Sequence, residues 1–110
     1  MNAMVETAVL CPFADIPEGE IRAEFLPNGT VIALYKVDGD IYATDDTCTH
    51  GAVSLSEDGT LNGKVVECSW HNGCFDITTG EACASPCLEA LRTYPVKIVG
   101  GIINVEYEGS

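Results

Sequence analysis

The sequence predicts an all-β fold, and three observations carry that prediction. Short runs rich in Val, Ile, Tyr, Phe and Thr recur along the chain. Glycine-containing dipeptides of hairpin type separate several of them, and no stretch of helical period lasts longer than a turn or two. In order, candidate strands cover 8–11, 21–26, 31–37, 41–43, 65–68, 75–77, 93–99 and 102–107, each an apolar or β-branched run. Asn28-Gly29, Asp38-Gly39 and Gly100-Gly101 each fall between two such runs and read as tight turns joining antiparallel neighbours. The only helical hint lies at 88–91. Internal repeats, linkers and low-complexity tracts are not seen.

Composition bounds the functional classes. A chain of 110 residues with 46% hydrophobic content is sized for one domain with a modest core. Seventeen Asp and Glu against five Lys and Arg give a net charge of −12 and a pI near 4.1. Such a field repels nucleic acid and anionic membrane and attracts basic protein patches. The amino terminus lacks a basic region, and the apolar stretch 7–10 is too short for a signal core or a span, so a cytoplasmic location is expected. Without an export signal, six cysteines do not read as a disulfide scaffold.

Two of those cysteines stand beside the only two histidines, as Cys48-Thr-His50 and Cys68-Ser-Trp-His71. Two thiolates and two imidazoles at this spacing are a metal-ligand set. A single zinc ion would take all four in one tetrahedron, whereas a 2Fe-2S cluster of mixed ligation would take two Cys on one iron and two His on the other. Two equivalent Cys/His pairs, each able to give one ligand to each iron, favour the cluster. The remaining Cys11, Cys74, Cys83 and Cys87 are expected to be buried or semi-exposed thiols, with Cys74, in the second loop, expected to be sensitive to oxidation.

Cys48-Thr-His50-Gly51 and Cys68-x-x-His71-x-Gly73-x-Phe75-Asp76 resemble the two cluster-binding boxes of Rieske iron-sulfur proteins. The likeness is closest to the small Rieske ferredoxins of bacterial aromatic-ring-hydroxylating dioxygenase systems. It covers nearly the whole chain, taking in 37–45 before the first box, 61–67 before the second and 93–98 near the end. One departure is Ser69, where the second box often has Pro. The resemblance implies a single Rieske domain over 1–110: a β-sandwich base made by both ends, and a smaller inserted cluster-binding part at roughly 45–83. A covering loop is implied near Ser85-Pro86. It implies one Rieske-type 2Fe-2S cluster held by Cys48, His50, Cys68 and His71, with the imidazoles outermost. It also implies a soluble monomeric one-electron carrier that takes electrons from a flavin-dependent reductase and gives them to a terminal oxygenase.

High-potential respiratory members of that family carry a disulfide between the two loops, and hydroxyl donors to the cluster sulfurs. Here the disulfide positions are Val53 and Trp70, and the hydroxyl positions are Gly73 and Phe75. Fewer donors to sulfur, in a strongly acidic protein, imply a low reduction potential. Asp45, Asp46 and Asp76 are the acids nearest the ligands in sequence, and most acids are expected on the solvated surface. Val53, Leu55 and Trp70 are candidates for an apolar contact rim, Trp70 equally for a packed aromatic. With both histidines used as ligands, no catalytic Ser-His or Cys-His set remains, and a mononuclear iron site cannot be built. The chain therefore reads as a component of a dioxygenase system rather than as an enzyme. The alternatives are a Rieske-type small subunit of another redox enzyme such as nitrite reductase, and a zinc-stabilised binding module.

Overall fold

The computed structural model describes residues 5–47, 54–68, 73–84 and 90–108. Eleven strands among them form three antiparallel sheets. Both ends of the chain build the first sheet, in which β11 (Ile102–Glu108) lies between β1 (Val5–Pro12) and β10 (Val96–Val99). The second runs β2 (Ile21–Phe25), β3 (Val31–Val37), β4 (Asp40–Asp45) and β9 (Thr93–Tyr94). The third comes from the middle of the chain as β5 (Gly59–Asn62), β6 (Val65–Cys68), β7 (Cys74–Asp76) and β8 (Ala82–Ala84).

The all-β expectation and its division into a base with an insert are therefore seen in the sheets. The apolar run of β3 explains how they are joined. Its residues are buried on both sides, because Ile32 and Leu34 face one core while Ala33, Tyr35 and Val37 face another. A strand covered on both faces needs no polar alternation, and 31–35 shows none. The first core fills the base with Ala8, Cys11, Ile41, Ala43, Tyr94, Ile103, Val105 and Tyr107. The second joins the base to the inserted sheet through Leu55, Val66, Cys68, Phe75, Ile77 and Leu91.

The hairpin signals lie where predicted. Asp38 and Gly39 both have positive φ, 54° and 79°, as the two-residue turn between β3 and β4 requires. Glu18 accepts the backbone N–H groups of both, at 2.6 and 3.0 Å. Several elements differ from expectation. The single strand expected at 93–99 is divided by Pro95: β9 pairs with β4 in one sheet and β10 with β11 in another. Proline has no N–H to offer a ladder, and this one marks the crossing. The strand expected at 8–11 starts at Val5, because 5–7 pair with 106–108 although they are exposed and lack an apolar pattern. Two strands, β5 and β8, were not expected. A short helix, α1 (Leu55–Asp58), forms instead of the one hinted at 88–91; of that segment, residues 90 and 91 belong to no element and 88–89 lie outside the described residues.

Candidate metal centre

Of the four predicted ligands, Cys68 is described. It ends β6 with 1% of its surface exposed, in the core shared by Val66, Phe75 and Leu55. Its backbone N–H donates to the Gly73 carbonyl at 2.7 Å, which ties the end of β6 to the residue before β7. Cys48, His50 and His71 lie outside the described residues, as do Gly51, Val53, Trp70, Ser85, Pro86 and Cys87. Among the described residues, no group of three or more His, Cys, Asp or Glu could hold a metal ion. What is described fits an iron–sulfur centre. A soft sulfur donor stands at a strand end in a dry apolar setting, where hydrogen bonds and burial decide its properties.

The seat of the first loop is described on both sides, and a carboxylate makes it. Asp46 is only 6% exposed. Its Oδ2 accepts the Ser54 hydroxyl at 2.6 Å and its Oδ1 the Ser56 N–H at 2.8 Å. Its main chain takes the Leu55 N–H at 2.7 Å and gives its own N–H to the Val31 carbonyl at 3.1 Å. Thr47 and Ser54 also form a β-bridge. The segment between them, which carries Cys48 and His50, is thus pinned at both ends to β3 and α1. Ser54 in turn caps α1 by accepting the Glu57 N–H at 3.3 Å.

Neighbouring groups stiffen the same region. The Tyr94 hydroxyl donates to Asp45 Oδ1, and the Asp45 N–H donates to the Arg92 carbonyl at 3.0 Å, tying the end of β4 to β9. Tyr35 and Thr44 share a buried hydroxyl–hydroxyl bond of 2.7 Å. Burial pushes the Tyr35 phenol well above its ordinary range, more than the Thr44 bond lowers it. Tyr94 is raised by burial and then by its bond to the Asp45 carboxylate. Both phenols are neutral at any physiological pH.

Three readings of the sequence are corrected here. Leu55 cannot belong to an apolar contact rim, because it is fully buried as the first residue of α1. Cys74 and Cys83 are not separate thiols: they form a disulfide between β7 and β8. Of the acids nearest the ligands, Asp46 is no surface charge, since it is buried, whereas Asp45 and Asp76 are half-buried and make hydrogen bonds. The sequence carried a signal for the Asp46 seat, because Ser54-x-x-Glu57 is a helix-start pattern that fixes where the first loop must end. Cys11 is a buried thiol as expected, its pKa pushed up by burial and by the neighbouring Glu24.

Comparison with known proteins agrees with this construction. Residues 6–95 match the model of the Rieske [2Fe-2S] domain. The ferredoxin component of a p-cumate 2,3-dioxygenase system from Pseudomonas putida is 56% identical over 97 residues, spanning 88% of this chain and 82% of that protein. Among solved structures, the complex of reduced oxygenase and oxidised ferredoxin in carbazole 1,9a-dioxygenase includes a chain that superposes with a TM-score of 0.87. That chain is 39% identical, over 94% of this chain and 95% of that one. The Sphingomonas yanoikuyae B1 ferredoxin gives the same TM-score of 0.87 at 38% identity, over 93% of this chain and 99% of that one. A sandwich closed by both chain ends, an inserted sheet that ends in a buried cysteine, and a sequence match across 6–95 have one common explanation: the chain belongs to the Rieske [2Fe-2S] family.

Proposed function

We propose that this protein is the ferredoxin component of a bacterial aromatic-ring dioxygenase system, a one-electron carrier and not itself a catalyst. The observation that carries the reading is the likeness along nearly the whole chain, in sequence and in fold, to ferredoxins of such systems. Cys48, His50, Cys68 and His71 would hold a Rieske-type 2Fe-2S cluster, whose chemistry is to accept and release a single electron. The chain's own residues position and shield that group. Asp46 fixes the base of the first loop, the Cys68–Gly73 hydrogen bond fixes the second, and Leu55, Val66 and Phe75 exclude water behind Cys68.

The electron source in this reading is a flavin-dependent reductase and the acceptor a terminal oxygenase. The carrier is a cytoplasmic monomer that shuttles between them. Among the described residues no helix is long and apolar enough to cross a membrane. Contacts that form and break quickly call for a small, hydrated, salt-sensitive interface around His50 and His71. A buried apolar site without hydroxyl donors at Gly73 and Phe75 supports a potential at the low end of the family. Iron and acid-labile sulfide are measured on the pure protein, with optical and paramagnetic spectra after reduction. Two irons, two sulfides and a Rieske-type signal, followed by turnover when reductase and oxygenase are added, are expected. Colourless protein with one divalent ion and no labile sulfide sinks the proposal.

A further inference from the structure

We propose that Cys74 and Cys83 form a second redox site on this chain, a thiol/disulfide couple that exchanges with low-molecular-weight thiols such as glutathione. The pair is covalently joined, with Cα atoms 5.3 Å apart and a sequence separation of 9. That spacing lies within the range a disulfide spans without backbone movement, so both states fit the same hairpin. The two residues differ in exposure: Cys83 is exposed on β8, at the edge of its sheet, whereas Cys74 is half-buried on β7. A thiolate therefore attacks the Cys83 sulfur. It forms a mixed disulfide there and releases Cys74 as the thiolate, which takes up a proton. A second thiol then attacks the mixed disulfide, so that two external thiols become one external disulfide and the protein gains two thiols.

The bond matters because, among the described residues, β8 is held to β7 by a short ladder. Cys74↔Ala84 and Phe75↔Ala82 are paired, with a register shift between them, Asp76 N–H donates to the Glu81 carbonyl at 2.9 Å just before the strand, and Ala82 packs on the second core. Cys74 in turn stands opposite Glu67, the residue before Cys68. Reduction removes the covalent tie on the far side of β7 while leaving the β6–β7 ladder intact. On the reading that Cys68 is a cluster ligand, the thiol state controls how firmly the ligand's neighbouring strands are held. Glu67 and Glu81 flank the pair with negative charge, so anionic glutathione reacts slowly and salt accelerates it.

The experiment equilibrates the intact, cluster-loaded protein with glutathione buffers of graded thiol-to-disulfide ratio, quenches with acid, alkylates, and maps the peptides. A reversible transition is expected in which the 74–83 link is replaced by two alkylated cysteines, faster at higher ionic strength. A link that survives excess glutathione in the native protein, one that never forms in excess glutathione disulfide, or a link from Cys83 to another cysteine overturns the site. Hydrogen exchange of the β8 amides in the two states tests the consequence: roughly ten- to a hundredfold faster exchange is expected once the short loop is opened. Cys83→Ser should exchange like the reduced protein, and equal rates in all three overturn the control of β8. Iron and sulfide content is measured in parallel. A thiol transition in a protein that holds no cluster would refute the functional reading and leave this site standing.

Discussion

Replacing Asp46, itself buried, by Ala removes the acceptor of hydrogen bonds from the Ser54 hydroxyl and the Ser56 N–H, two half-buried groups of which the Ser54 hydroxyl keeps the Ser56 hydroxyl at 3.0 Å as a neighbour. Hydrogen bonds to a charged group contribute about 1.5–3 kcal/mol each, and the Ser56 N–H left without its acceptor keeps part of the desolvation penalty. A net loss of about 3 kcal/mol follows, a large share of the roughly 5–15 kcal/mol that holds a domain together. At about 4 °C per kcal/mol for a domain of this size, the thermal midpoint falls by about 12 °C. Asp46→Asn is the discriminating partner variant. Its carbonyl oxygen still accepts the Ser56 N–H, and its amide donates to the Ser54 oxygen, so about two thirds of the loss is recovered.

The assay is thermal unfolding followed by far-ultraviolet dichroism, with iron release recorded on the same samples. Alanine should lose cluster at a lower temperature than asparagine, and asparagine at a lower temperature than the parent. Both neutral variants should raise the cluster's midpoint potential, because each removes one negative charge from the base of the first ligand loop. A potential shift shared by the two variants, beside stabilities that differ, separates the charge from the clamp. Asp46→Ala within about 3 °C of the parent would refute the claim that this carboxylate pins the loop.

Gly80→Ala should be among the most damaging single-methyl changes in the chain. Gly80 has a φ of +81°, and an added Cβ would lie 2.2 Å from the Leu91 carbonyl oxygen, so loss of folded protein on expression or a stability drop of about 3 kcal/mol or more is expected in denaturant titration. The Asp76 carboxyl is held below its ordinary pKa, first by the Thr78 hydroxyl at 2.5 Å and then by the Thr78 N–H at 2.8 Å. As pH falls, the unfolded chain therefore takes this proton first. The contribution of Asp76 is complete above the usual carboxylate range near 4 and is lost as pH falls through the lowered native value, so Asp76→Asn should flatten that limb of a stability–pH curve. Gly73→Ser should raise the midpoint potential modestly in protein-film voltammetry by offering a hydroxyl to a cluster sulfur, and a fall would count against the donor argument.

How much of this was legible in sequence depends on whether the cause was local. The Asp38-Gly39 turn and the strand over 31–37 were readable because a turn dipeptide and a β-branched apolar run leave marks within a few residues, whereas the burial of β3 on both faces came only with the structure. The division at Pro95 was written in the chain but needed the knowledge that β4 and β11 lie on opposite sides of it. β5 and β8 escaped because Gly-Thr-Leu-Asn and Ala-Cys-Ala have little β propensity of their own and are strands only through their neighbours β6 and β7. The same holds for the site. The spacing offers Cys48, His50, Cys68 and His71 as a candidate ligand set, of which Cys68 alone is described. The burial of Asp46 and the meeting of Cys74 with Cys83 depend on long-range packing that no spacing rule encodes.

The placement of β3 links the fold to the task. Electron exchange by a small carrier demands a centre whose surroundings hardly move, and an outer surface that lets partners leave quickly. β3 meets the first demand by serving as a common wall: Ile32 and Leu34 lock it to the base, while Ala33, Tyr35 and Val37 lock the inserted sheet to it. Shifting the inserted sheet would disturb the packing of β3 on both sides, which close-packed interiors resist. The surface meets the second demand. Arg22 and Lys97 are paired with Glu24 and Glu106, and Lys36 lies 3.9 Å from the centre of the Phe13 ring, so these cations are locally engaged within a field of net charge −12. In the proposed reading, attraction to a basic partner would come from long-range charge, which speeds encounter and is screened within about 10 Å at moderate salt. A rigid interior and a contact made mainly of field rather than of buried area are what such a carrier would need to hold its centre still while it comes and goes.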